Sequence, residues 1–179
     1  MILLETPRLQ LRNFQLADIE DFYAYMSLES TARYEDFDPM SYGQCEESIQ
    51  RRMTKDHILA VVLKEHNAVI GDVNFTLQED GETYEIGYDF HEQYGKQGYA
   101  TEACQALLNH IFITLAGRRV FAQCNDDNEN SIRLLERLGF RREGYFMEDV
   151  SFKMNDDGTP IYINSYLYAM LRKEYLNHK

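Results

Sequence analysis

The stretch "YEIGYDFHEQYGKQGYATEACQALL", residues 84–108, changes character in the middle. Thr83 to Phe90 read as a strand. From Thr101, apolar residues recur at Ala103, Leu107, Leu108, Ile111, Phe112 and Leu115, which predicts a helix ending before Gly117. Between strand and helix lie Gly95, Gly98 and Ala100, residues small enough to let a ligand approach the backbone. The first N–H groups of a helix have no intrahelical partners and carry the positive end of its dipole. A strand that opens through such a turn into a helix therefore makes an anion site. Thr101 adds a hydroxyl at the helix start and Lys96 a positive charge beside it.

Outward from this centre, residues 8–12 alternate as a strand after the turn signal Thr6-Pro7. Ile19, Phe22, Tyr23 and Met26 recur at helical spacing and predict a helix over 17–27. Residues 28–42 read as irregular, and 43–55 as a second helix with Cys45, Ile49 and Met53 on one face. "ILAVVLKEHNAVIGDVNF" gives two strands around His66-Asn67. "RVFAQC" is a short strand, Asn130 to Leu138 a helix stopped by Gly139, and 140–171 a hairpin turning at 155–158. The order β-α-α-β-β-β-α-β-α-β-β predicts one mixed α/β domain over residues 1–179.

Composition narrows the function classes. The net charge of −12 opposes nonspecific nucleic-acid binding and suits a cationic acceptor such as an amine. No run of 18 apolar residues predicts a membrane helix, and the first residues lack the basic leader of a secretory signal. Cys45, Cys104 and Cys124 form no C-x-x-C pattern, so three reduced, mostly buried thiols in a cytoplasmic protein are expected. The five histidines form no metal-binding pair, and no metal is expected.

The glycine loop fails two phosphate-binding patterns. A P-loop needs G-x-x-x-x-G-K-[ST], but Lys96 precedes the second glycine and Gln97 follows it. A dinucleotide loop needs G-x-G-x-x-G, and the spacing here is inverted. Gly98-Tyr99-Ala100 does fit the second half of Q/R-x-x-G-x-G/A, the pyrophosphate loop of coenzyme A acyltransferases, with Gly95 at the Gln/Arg position. Three further stretches join it in order: "ETPRLQLRNFQLADIEDFY", "VIGDVNF" and "NDDNENSIRLLERLGFRREG". Together they resemble the GNAT acyltransferase superfamily, and within it the RimJ/RimL ribosomal-protein N-acetyltransferase branch.

The resemblance implies a largely antiparallel central sheet flanked by helices, with its fourth and fifth strands splayed and a pantetheine arm between them. It implies acetyl-CoA as co-substrate and a primary amine as acceptor: a protein N-terminus, an aminoglycoside, a polyamine or a small metabolite. Tyr88 to Phe90 fall at the fourth strand's end, where the Phe90 N–H would meet the thioester carbonyl. Gly95, Lys96, Gln97, Gly98, Tyr99, Ala100 and Thr101 would hold the pyrophosphate. Asn128 would contact the pantetheine arm and Ser131 would stand near the leaving thiol; both are also good helix N-caps. Glu85 matches the position of a general base, direct or through water, and reads equally as a solvent-facing strand residue. Many relatives protonate the thiolate with a Tyr where this chain has Leu135. The acceptor pocket would draw on 32–42, with Tyr34 and Glu35, and on the last hairpin, with Tyr145; an ordinary polar loop is the other reading. Gly95 and Leu135 also leave open a non-catalytic acyl-CoA-binding protein. Oligomeric state is open between monomer and homodimer.

Overall fold

The computed structural model describes residues 3–177. Eight strands form one sheet: β1 (Leu3–Glu5), β2 (Leu9–Asn13), β3 (Ile58–Leu63), β4 (Ala68–Leu77), β5 (Thr83–Phe90), β6 (Arg119–Asn125), β7 (Arg141–Met154) and β8 (Pro160–Leu171). Their spatial order is β1-β2-β3-β4-β5-β6-β8-β7. All neighbours are antiparallel except β5 and β6, which are parallel. The helices are α1 (Ile19–Met26), α2 (Glu29–Ala32), α3 (Tyr42–Arg52), α4 (Tyr99–Asn109), α5 (Glu129–Arg137) and α6 (Arg172–Asn177). α4 runs on into a wider turn over His110–Thr114. Because β1 is a separate short strand, the expected fourth and fifth strands are β5 and β6.

Several elements depart from the sequence reading. β1, with three residues, is too short to show a period, and α2 and α6 are too short to show an apolar stripe. α4 starts two residues earlier than expected, because Gly98 sits at φ 82° and Tyr99 already turns helically.

The run "ILAVVL" explains the two-sided core. Leu59, Val61 and Leu63 bury on one face with α4 and α5, while Ala60 and Val62 bury on the other with α1 and α3. A strand covered on both faces must be apolar throughout. α1 supplies Phe22, Tyr25 and Met26 to the second face, and α3 supplies Cys45 and Ile49. α3 is held at its start by Ser41, which accepts from the Gln44 N–H while Gln44 reaches back to the Ser41 N–H. A bulge in the β3–β4 ladder between Val61 and Val62 resets the facing of β4 from Gly71 onward. It places Asp72 beside Ala60, on the α1–α3 face. Gly71 is required there, since a Cβ would overlap the Asp89 carbonyl oxygen. All three cysteines are free and buried.

Candidate functional site

β5 and β6 pair only where Thr83–Glu85 lie beside Arg119–Phe121. Beyond Glu85, β5 stays with β4 as far as Phe90, and β6 stays with β8 as far as Asn125. The two strands therefore part into a wedge. The direction of the β5 peptides is fixed by one hydrogen bond: the His91 N–H donates to the Ile70 carbonyl at 2.9 Å. Peptide directions alternate along a strand. The N–H groups of Phe90 and Tyr88 thus point away from β4, into the wedge.

On the α4–α5 face, Tyr88 Oη and Ser131 Oγ lie 2.6 Å apart and bridge β5 to α5. Burial drives the Tyr88 phenol far above its ordinary pKa, and the Ser131 bond only partly offsets this. Such a phenol is a poor net acid but a steady hydrogen-bond donor. Burial also pushes the neighbouring Cys124 thiol up to about 11. Asn128 caps α5, its Oδ1 accepting from the Ser131 N–H at 3.1 Å. Leu135 is fully buried in the core and offers no proton there.

The loop at the wedge's mouth has the shape of an anion cradle. Lys96 sits at φ 60° and Gly98 at φ 82°. The first α4 bond runs from the Glu102 N–H to the Gly98 carbonyl at 3.0 Å, so the N–H groups of Tyr99, Ala100 and Thr101 have no intrahelical acceptor. Lys96, Gly98, Thr101, Glu102, Gln105 and Arg137 line an open cleft of about 650 Å³. Arg137 Nη1 donates to Thr101 Oγ1 at 3.0 Å and brings a second cation beside Lys96. The Tyr99 ring turns into the core under the Arg8 guanidinium, 4.4 Å from the ring centre, so only its backbone is offered to the cleft. Gly95 and Gln97 are exposed on the same loop.

On the opposite, α1–α3 face, charged groups from four elements converge. Asp72 is fully buried and accepts from Arg52 Nη1 at 2.9 Å and from the Tyr25 hydroxyl at 2.7 Å. Burial opposes the charge on Arg52, and Asp72 outweighs it. Asp89 is the cross-strand partner of Asp72. Among the described residues no hydrogen bond reaches the Asp89 carboxyl, and its pKa is raised well above the usual carboxylate range. Burial is the main cause, with the charges of Asp72 and Glu35 adding to it and Arg52 opposing. Glu35 is raised too, by burial first and then by Asp36 and Asp72. The pair Asp72–Arg52 is structural as well as electrostatic. Asp72→Ala leaves Arg52 and Tyr25 without their partner, and is expected to cost about 3–5 kcal/mol in urea unfolding.

The remaining expected residues make separate contacts. Tyr34 Oη donates to the Asp127 carbonyl at 3.4 Å. Tyr145 Oη donates to Asp126 Oδ2 at 2.9 Å and its ring lies 5.1 Å from that of Tyr166. Lys153 of β7 lies 3.7 Å from Asp38, which joins the hairpin to the 33–40 segment. Glu85 shares the Asp89 face but sits four residues back, beside Phe121, where β5 and β6 still pair. At ~3.3 Å per residue that is ~13 Å from Asp89. Asp72, Asp89, Arg52, Arg8 and Arg137 escaped the sequence reading. A lone acid in the apolar run "VIGDVNF", and another between Tyr88 and Phe90 at a strand end, were the available signals.

Comparison with known proteins bears on the family and the fold. Residues 8–141 match the profile of the family described as Acetyltransferase (GNAT) domain. An uncharacterised N-acetyltransferase, p20 of Bacillus licheniformis, is 31% identical over 182 residues, spanning 96% of this chain and 97% of that one. The crystal structure of a GNAT-family acetyltransferase from Bacillus anthracis superposes with a TM-score of 0.89 at 29% identity, covering 97% of this chain and 100% of the other. A RimL ribosomal L7/L12 α-N-protein acetyltransferase, solved with coenzyme A, shares the fold at a TM-score of 0.78 and 19% identity, over 95% of this chain and 98% of that one.

Proposed function

Since this chain belongs to the GNAT acetyltransferase family and is an N-acetyltransferase, we propose that it carries the acetyl group of acetyl-CoA to a primary amine by direct attack on the thioester. The observation that supports this most is the wedge. The amide of Phe90 points into it and an anion cradle stands at its mouth. The loop amides from Lys96 to Ala100, with Thr101, the Lys96 side chain and Arg137, take the pyrophosphate; the expected Gly95 N–H is not available, since it donates to the Glu92 carbonyl at 2.9 Å. The pantetheine arm lies between β5 and β6, past Asn128, and the Phe90 N–H donates to the thioester carbonyl. That donor strengthens as the carbonyl oxygen becomes an oxyanion, which is the condition for lowering the barrier.

The acceptor comes from the acidic side, past Tyr34, Glu35 and Tyr145. Carboxylates and aromatic rings favour a cationic ammonium there over a neutral ligand. The ammonium must lose a proton before it can attack. Asp89, next in sequence to Phe90 and raised in pKa, is placed to take it directly. Glu85, farther along the strand, would take it only through water. The thiolate leaves on the opposite face, where Ser131, held by Tyr88, donates a hydrogen bond. Cationic small molecules, polyamines, aminoglycosides and protein N-termini are the acceptor classes that fit. The three buried thiols suit a reducing compartment such as the cytoplasm.

The test is thiol release from acetyl-CoA, followed against a panel of these amines and of neutral alcohols. Amine-dependent release that saturates is the expected result. Release that ignores the amine, or that requires an alcohol, contradicts the reading.

A further inference from the structure

One set of contacts lies outside this mechanism and behind the anion cradle. Arg8, immediately before β2, reaches across to the loop and to the first turn of α4. Its Nη1 donates to the Gln97 carbonyl at 2.9 Å. Its Nε donates to Glu102 Oε2 at 2.6 Å, and its own backbone N–H to Glu102 Oε1 at 2.9 Å. Thr6 Oγ1 donates to the same Oε1 at 2.6 Å. The guanidinium carbon stands over Tyr99, 4.4 Å from the ring centre. A simple surface ion pair would use one of these contacts and be worth little. Here one side chain holds a loop carbonyl, a helix carboxylate and an aromatic face together.

The clasp acts on an anion in the cleft in two ways. A peptide's C=O and the next N–H point in opposite directions. Arg8 fixes the Gln97 carbonyl, and thereby turns the Gly98 N–H the other way. Gly98 lines the cleft and Arg8 does not. The charge on Arg8 also polarises that peptide and makes its N–H a better donor. The second effect concerns Glu102, which lines the cleft itself. A free carboxylate there would repel a phosphate. Burial would raise its pKa, but hydrogen bonds from Thr6 and Arg8 outweigh this and keep it ionised. Its charge is then spent on Arg8.

We propose that Arg8, clasped by Glu102, is a positioning residue for the pyrophosphate: it presents the Gly98 N–H to the cleft and neutralises the carboxylate beside it. The proposal rests on the coenzyme reading of the loop. It separates donor binding from chemistry, because Arg8 precedes β2 while Phe90 ends β5, three strands away in the sheet.

Calorimetric titration with coenzyme A and donor kinetics test it on the intact chain, Arg8→Ala, Arg8→Lys and the double variant Arg8→Ala/Glu102→Gln. Arg8→Ala weakens coenzyme A binding at least ~10-fold and raises KM for acetyl-CoA alike, with kcat at saturation within ~2-fold. Arg8→Lys keeps the charge but loses the fork and the stacking, and recovers only part of the loss. The double variant binds at least ~3-fold better than Arg8→Ala alone, because the uncompensated carboxylate is gone. S-acetylpantetheine, which has no pyrophosphate, serves the intact chain and Arg8→Ala equally. Unchanged coenzyme A affinity in Arg8→Ala overturns the clasp alone. So does an equal loss with both donors, or a double variant weaker than the single one. Failure of the intact chain to bind coenzyme A overturns the coenzyme reading first and the clasp with it.

Discussion

Asp89→Asn lowers kcat/KM for the amine by ~100- to 10,000-fold, the range for loss of a positioned base, and leaves coenzyme A affinity nearly unchanged. The split comes from the two faces of β5. Asp89 shares its face with Asp72, toward α1 and α3, while the phosphate cradle belongs to the loop and α4. The carboxyl must be ionised to accept a proton, so activity in the parent rises as pH climbs through its raised pKa. In Asp89→Asn this limb of the pH profile disappears.

Stability moves the other way. In the unfolded chain the carboxyl ionises near its ordinary value of about 3.9, but in the folded chain burial, Asp72 and Glu35 hold it protonated to higher pH. The folded state thus binds the extra proton. Its advantage is complete below the unfolded pKa and is lost as pH rises through the folded one. Asn carries no such charge. The variant therefore melts at a higher temperature than the parent at pH 8, with the gap closing toward pH 4. Thermal melts at the two pH values, run beside the kinetics, check both halves. A variant that loses activity and melts lower at pH 8 would show Asp89 to be a packing residue.

Gly98→Asp abolishes measurable coenzyme A binding, a loss of ~100-fold or more. Two effects act together, neither of them backbone strain. Gly98 sits at φ 82°, where side chains other than those of Asn and Asp are strained. A Cβ there would lie 3.4 Å from Arg8 Nη2, so the new carboxylate lies where it can draw Arg8 away from the Gln97 carbonyl. The added charge also faces the phosphates across a short distance. Asp is chosen because it tolerates this backbone, so the fold persists and the melting temperature stays within a few degrees. Calorimetry gives the affinity and a thermal melt gives the control. Wild-type affinity in this variant would remove the loop from the coenzyme site.

What the sequence made legible was what it holds contiguously. Thr83 to Phe90 read as a strand with the observed ends, and the glycine loop stood out because its small residues and the helix behind it are adjacent in the chain. The paired runs around His66-Asn67 and the terminal hairpin carried their own turn residues. The site's far side was not legible for the opposite reason. Asp72 meets Asp89 only because a bulge in the β3–β4 ladder turns Asp72 toward α1 and α3. Arg52 reaches Asp72 from α3 across 20 residues of chain, and Glu35 comes from a segment with no period at all. Arg8 and Glu102 are 94 residues apart, so no local spacing joins them. Leu135 was read as a missing hydroxyl; its complete burial is a tertiary fact. The Tyr88–Ser131 contact on that same face joins β5 to α5 across 43 residues, a separation no local pattern reveals.

Acetyl-CoA is proposed to bind in the wedge between β5 and β6, with its pyrophosphate on the loop at the mouth. Backbone amide NMR shifts, tracked residue by residue as acetyl-CoA is added, address it most directly. Binding in the wedge predicts saturable shifts, at one ligand per chain, concentrated on Tyr88, Phe90 and the amides of Gly98 to Thr101. Shifts that saturate elsewhere while those amides stay still, or no saturable shift at all, would contradict it.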